Sequence, residues 1–365
     1  MQATPPASKV LAPHLYALDV FNPSTNQITN AESFAVEQSV DVSTACTVPP
    51  QPAGVAIDPV NNLVAVSLFG CDSLALINST TLIGSTVNLG QNSNPIGVAV
   101  IPRLQRAVVA NNGTGTASIV LESGNVFQTV STGSGGSGPM GAAANEATGE
   151  VAIANSVANT VSVVNAATGG IGTISTGQHP VAVGFNYVND QVASAASASN
   201  LLGVSGGTTG SANQSFSVQG PSSVVYDPVP TDCGSNNNGA TTNTAGCFIV
   251  SSSLGNSVSI IDPVSSAVTP FEIGINPTSI AYNYFTSTLV STNTASRTIT
   301  VADLLALKIR AVLTLPPIVG TSTNQALTIA VAGVPQYALA VHPLTNIAVI
   351  ADTANGAVLF VPLPR

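Results

Sequence analysis

Few side chains in this sequence can do chemistry. Charged residues make up 6% of the 365 positions, histidine occurs three times and cysteine four times. Ordinary soluble proteins carry about 25% charged residues. His14 lies in a proline-containing leader, His179 precedes a recurring proline on a loop, and His342 occupies a turn. No two histidines have the spacing of a metal site and no Cys-x-x-Cys is present, so no metal or other cofactor is expected. Asp58, Asn145, Asn186, Asp227 and Asn283 recur at matching places and resemble a ring of calcium-binding oxygens. The simpler reading is that each caps a tight turn through its own side chain. Asp19, Asn165, Asp262 and Asp303 end other strands in the same way. The glycine-rich run STGSGGSG (131–138) lacks the lysine and the following helix of a phosphate loop, and reads as a connection. No residue is nominated as catalytic.

Those turn residues need strands to hold them, and the chain repeats one phrase that supplies them. A proline, a short apolar run and a turn former recur as PAGVAID from Pro52, PIGVAVI from Pro95, PMGAAAN from Pro139 and PVAVGFN from Pro180. PSSVVYD from Pro221, PTSIAYN from Pro277 and PQYALAV from Pro335 follow. The seven starts are 43, 44, 41, 41, 56 and 58 residues apart. After each turn comes a second apolar run, then a third that alternates polar and apolar, as in TVSVVN and SVSIID, and in most units a fourth. Alternation at period two marks half-buried strands. Four short strands in about 40–45 residues is a β-propeller blade. The expected fold is all-β: a single seven-bladed propeller of antiparallel four-stranded blades over 15–365, after a proline-rich leader at 1–14. Insertions at 228–247 and 316–334 account for the two long intervals. The last unit has only three strands, so N-terminal residues must complete it and leave no open edge. The stretch LYALDVFNPSTNQI from Leu15 reads as that closing contribution. Both 16–20 and 357–361 then qualify as a third strand, and one is surplus.

Compartment and partners follow from charge and cysteines. A net charge of -9 excludes an electrostatic nucleic-acid binder. No apolar run reaches the ~20 residues of a membrane span, and the first residues lack a signal-peptide core. In a propeller, Cys46 enters the first blade on the face to which Cys71 returns, while Cys233 and Cys247 flank one inserted loop. The expected disulfides are therefore Cys46–Cys71 and Cys233–Cys247, in an extracytoplasmic protein whose export signal is not in the numbered chain.

The units NTVSVVNAATGGIGTISTGQHPVAVGFN (159–186) and NSVSIIDPVSSAVTPFEIGINPTSIAYN (256–283) resemble the YVTN-type propeller repeats of bacterial and archaeal cell-surface proteins. The resemblance implies a non-catalytic surface role in binding or scaffolding. The scarcity of Lys and Arg departs from that family. The function expected is thus a monomeric binding propeller, its ligand a protein or glycan. The alternative is a lactonase-like propeller hydrolase or lyase with a metal in its central channel, where Asp58, Asp227 and His342 are the available contributors. Neutral amides on the loops between second and third strands, Asn112, Asn155 and Asn293, are the expected ligand-binding residues.

Overall fold

A computed structural model describes residues 9–11, 14–22, 27–36, 38–42, 46–133, 136–207, 214–230, 233, 245–315, 337–353 and 355–364, with backbone pairing alone for those of 9–39 and for 41. The fold is all-β, and its strands form seven antiparallel blades arranged as a propeller. Blade one comprises Pro52–Asp58, Leu63–Leu68, Ser73–Asn78 and Gly84–Asn88, paired in chain order. The other inner strands are Pro95–Ile101, Pro139–Asn145, Pro180–Asn186, Pro221–Asp227, Pro277–Asn283 and Tyr337–His342. Each packs on the next, and the last packs on the first. In blades one to six, each inner strand bulges just after its proline, which has no N–H to give the ladder.

Burial explains the apolar wording. Second and third strands are covered on both sides by neighbouring blades, so Leu63–Leu68 is buried along nearly its whole length. Outer strands cover one side only, and Gly84–Asn88 buries a single residue. Seven apolar clusters result among the described residues, one in each gap between blades. Near the axis the inner strands approach so closely that some positions admit only glycine. A Cβ on Gly54 would lie 2.1 Å from the Ile96 carbonyl oxygen, and one on Gly97 2.1 Å from that of Met140.

The ring closes with N-terminal chain, though not with the segment the sequence suggested. We label the N-terminal strands β1 (Lys9–Leu11), β2 (His14–Asn22), β3 (Gln27–Val36) and β4 (Gln38–Asp41). β4 pairs with Ala357–Pro362 as the outer strand of blade seven, and β1 pairs with β4. Ala357–Pro362 is therefore the third strand of that blade. The expectation that 15–28 supplies the closing strands is corrected: β2 and β3 form a hairpin added outside blade six, against Lys308–Thr314. The hairpin carries the same two-residue alternation as a blade strand, so periodicity alone does not separate them. At the seam, Thr353 Oγ1 donates to the Pro52 carbonyl oxygen at 2.5 Å. The extension from Asp227 to Cys247 does join first and second strands, whereas the expected insertion at 316–334 lies outside the described residues.

Both disulfides are formed as expected, Cys46–Cys71 with Cα atoms 6.0 Å apart and Cys233–Cys247 with 5.6 Å. Two such bonds suit an oxidising, extracytoplasmic environment. Among the described residues no helix is long and apolar enough to cross a membrane.

Candidate functional site

The inner strands finish on one end of the ring in a recurring turn. Asp58 Oδ1 accepts the N–H groups of Val60 and Asn61, and Asn145, Asn186, Asp227 and Asn283 accept corresponding ones. His342 performs the same task with a ring nitrogen, Nδ1 accepting from Leu344 and Thr345 at 3.3 Å. These residues are turn caps, as the sequence implied. Their free amides are also occupied: Asn186 Nδ2 donates to the Ala245 carbonyl oxygen and Asn283 Nδ2 to that of Pro343.

The residue after each inner strand decides what the mouth of the channel is made of. It is Pro59 in blade one, Pro102 in blade two, Pro228 in blade five and Pro343 in blade seven. It is Glu146 in blade three, Tyr187 in blade four and Tyr284 in blade six. Together with Tyr226, Tyr282, Phe185 and Pro228, these three departures line a vestibule of about 680 Å³ set against blades three to six. Small side chains at Ala142, Ala143, Ala144 and Gly184 leave the room. The vestibule shares Ala142, Val183 and Val224 with a narrower space of about 200 Å³ on the axis, lined by Gly54, Gly97, Gly141 and the hydroxyls of Ser222, Ser223, Thr278 and Ser279.

The aromatic groups brace one another. The Tyr187 and Tyr226 rings meet edge to face with centroids 5.1 Å apart, and Tyr226 Oη donates to the Ala245 carbonyl oxygen at 2.6 Å. Burial, and then the charges of its neighbours, pushes the Tyr187 phenol up to about 12. Burial also raises Tyr226 and Tyr284 above their usual range, so all three stay neutral hydroxyls at any physiological pH. Glu146 keeps contact with solvent at the rim, yet the protein crowding around it raises its carboxyl above the ordinary carboxylate value, with a smaller push from the Asp58 charge. Among the described residues no Lys or Arg lines the vestibule. Arg103 is nearby, but its Nε donates to the Glu146 backbone carbonyl at 2.6 Å.

The amides nominated from sequence lie at the opposite end of the ring and do not converge. Asn155 and Asn293 are fully buried. Asn155 Nδ2 donates to Thr160 Oγ1 and Ser162 Oγ, and Asn293 Nδ2 to Thr298 Oγ1 and Thr300 Oγ1, which ties the second strand to the third. Asn112 sits one residue past the matching position, which Asn111 fills with the same two bonds. Asn112 Nδ2 instead reaches the Pro139 carbonyl oxygen of the next blade at 3.1 Å. His179 is half-buried on a loop with Nδ1 2.9 Å from Ser197 Oγ, and the side chain of His14 lies outside the described residues. Sequence reasoning missed Glu146, Tyr187, Tyr226 and Tyr284. The signal was the column just past the cap, where a proline should stand and in three blades does not.

The donor set on the axis does not suit a divalent metal. The channel lining offers backbone, aliphatic groups and four hydroxyls, with no carboxylate or imidazole among its described residues, and the caps are committed to their turns. Among the described residues, no three His, Cys, Asp or Glu are grouped as metal ligands would be.

No family model matches the chain, and no curated protein matches it. Solved structures do. Virginiamycin B lyase from Staphylococcus aureus is 12% identical with a TM-score of 0.65, covering 90% of this chain and 99% of its own. A streptogramin B lyase is 12% identical at 0.67, covering 96% and 98%. Kuenenia stuttgartiensis hydrazine synthase is 14% identical at 0.66, covering 87% and 97%. What they share with this chain is the seven-bladed fold. At such identities the likeness extends to architecture and leaves function to the site.

Proposed function

We propose that the protein is a non-catalytic binding propeller of the bacterial cell surface or periplasm, a monomer that takes part of a protein or glycan ligand into the vestibule of blades three to six. The observation that carries this reading is the replacement of the recurring proline by Glu146, Tyr187 and Tyr284 in three blades that border one cavity. Aromatic faces and one carboxyl in a concave site of this size are what ligand pockets use for affinity and orientation. Phenols held neutral donate and accept hydrogen bonds but do not serve as bases near pH 7. The paired cysteines support export, and the acidic balance of the chain speaks against nucleic acid.

One observation favours a second reading, a lyase or hydrolase. Glu146 is a carboxyl of raised proton affinity facing an aromatic cavity, a setting suited to a general acid or base. Arrays of surface peptides and glycans, run with wild type and a Tyr187→Ala/Tyr284→Ala variant, test the main reading. Binding in wild type and at least a tenfold loss in the variant are expected. Turnover of a lactone or cyclic ester that disappears in Glu146→Gln would replace the binding reading with the enzymatic one.

A further inference from the structure

We propose that the vestibule recognises an organic ammonium group, seated on the faces of Tyr187 and Tyr284 with Glu146 as its counter-charge. This deepens the binding reading and rests on it.

Three observations select the chemistry. The first is the sign of the charge. Glu146 lines the cavity, Asp58 and Asp227 are buried behind the turns of the same mouth, and among the described residues no cationic side chain is in the lining. The acids' charges reach the lining groups, since Asp58 acts on Glu146 and Asp227 acts on Tyr187 and Tyr226. A concave site lined by one sign of charge concentrates ligands of the other.

The second is the aromatic content. Four of the six tyrosines in the sequence line this one cavity. Ring faces attract an ammonium group within about 6 Å, most strongly where water is excluded. Because the phenols are neutral, their faces keep the quadrupole that does this.

The third is what the site lacks for sugars. Discrimination among several hydroxyls needs several side-chain amides or carboxylates free to bond them; the lining offers the single carboxyl of Glu146, and the nearby amides are already used. Asn145, Asn186 and Asn283 each accept turn N–H groups and donate their own to Asp190, Ala245 or Pro343. An ammonium group asks for none of these bonds, only for ring faces and a carboxylate. A lysine side chain of a protein partner and a free quaternary amine present the same group, and separate probes distinguish them.

The test uses the full chain and its own tyrosine fluorescence, which reports mainly on this cavity because the sequence holds no tryptophan. Choline is titrated against 3,3-dimethylbutan-1-ol, which replaces the charged nitrogen by carbon at the same shape. Choline is expected to saturate and to bind about tenfold more tightly than the neutral isostere, with Glu146→Gln and Tyr284→Ala each weakening it about fivefold. A lysine peptide and its acetyl-lysine counterpart form the second pair. Preference for the unmodified peptide over choline assigns the source to protein, and the reverse preference to a small amine; either supports the proposal. Equal binding of choline and its isostere, or choline binding indifferent to both substitutions, overturns it. If a neutral peptide or glycan still quenches the tyrosines, the vestibule reading survives and only the charge preference fails. If no peptide, glycan or amine perturbs them, both fail.

Discussion

At the end of the ring where inner strands begin, Asp and Asn side chains serve the fold, and at the end where they finish the repeat is broken in three blades around one cavity. Asp72, Asn159, Asn200 and Asn256 each precede a third strand with φ between 53° and 57°. Each also accepts a backbone N–H about twenty residues ahead, in the loop entering the next blade. The seam and the Cys46–Cys71 bond lie at this end too. The opposite end uses the same turn chemistry up to the cap, then departs at the next residue in three of seven blades. In a repeat protein structural duties recur from unit to unit, so a column that departs in three adjoining blades around one cavity is the place where the proposed ligand would be read.

The sharpest way to break the comparison is to remove the scaffold beneath both ends. Gly97→Val puts side-chain carbon where a Cβ alone already lies 2.1 Å from the Met140 carbonyl oxygen and 2.8 Å from the Ala142 nitrogen. Backbone of two blades must then move, so a loss of about 3 kcal/mol or more is expected, or no folded protein. Gly172, on an outer strand where a Cβ would meet nothing within 4 Å, is the control. Gly172→Ala should leave the denaturation midpoint within about 0.5 kcal/mol of wild type. Equal effects at the two positions would show that the axis is not the tight part of the ring.

This contrast also explains what is legible from sequence. Seven blades can be counted because the inner strands need small residues toward the axis and all but that of blade two end in a side-chain cap, which repeats the phrase. The caps themselves are readable, since Asp or Asn with two N–H groups ahead of it is a local event. Closure is not. β4 is four residues long, Gln38–Asp41, too short to carry a period, while the longer β2 and β3 have the stronger strand pattern and lie outside the blade. Nor is the vestibule, because it depends on which blades adjoin in space and on Tyr226, a strand residue whose partner Tyr187 comes from another blade.

A second, smaller test sharpens the division of labour between the ends. Replacing Asn112, Asn155 and Asn293 together by Ala removes a bond from blade two to blade three and bonds inside blades three and six. The sequence alone makes these amides a ligand surface whose loss would leave stability untouched. Their buried bonds predict the reverse: stability falls by about 1 kcal/mol per buried amide, and vestibule binding is unchanged. Calorimetric melting together with the choline titration checks both halves. A stable triple variant with weakened binding would return the site to the strand-entry end.

The smallest expected effect concerns protons on the vestibule's side of the ring. Asn61 Nδ2 bridges Asp58 Oδ2 at 2.9 Å and Glu122 Oε2 at 3.1 Å, which couples the turns of blades one and two. Burial, followed by the hydrogen bond and the charge of Asp58, raises Glu122 from 4.5 to about 8. The folded protein therefore holds a proton that the unfolded chain releases above 4.5. That stabilisation is full below pH 4.5 and is lost as pH rises toward 8. Glu122 is only partly buried, so solvent screening trims the effect to about 1 kcal/mol. His342, almost fully buried, has its proton affinity lowered by that burial and works in the opposite sense, losing stability as pH falls below 6.5. Urea midpoints measured from pH 5 to 8.5 should decline toward the alkaline end in wild type and flatten there in Glu122→Gln. A variant that keeps the wild-type slope would mean that the link between blades one and two carries no proton, and that the coupling resides elsewhere on that face.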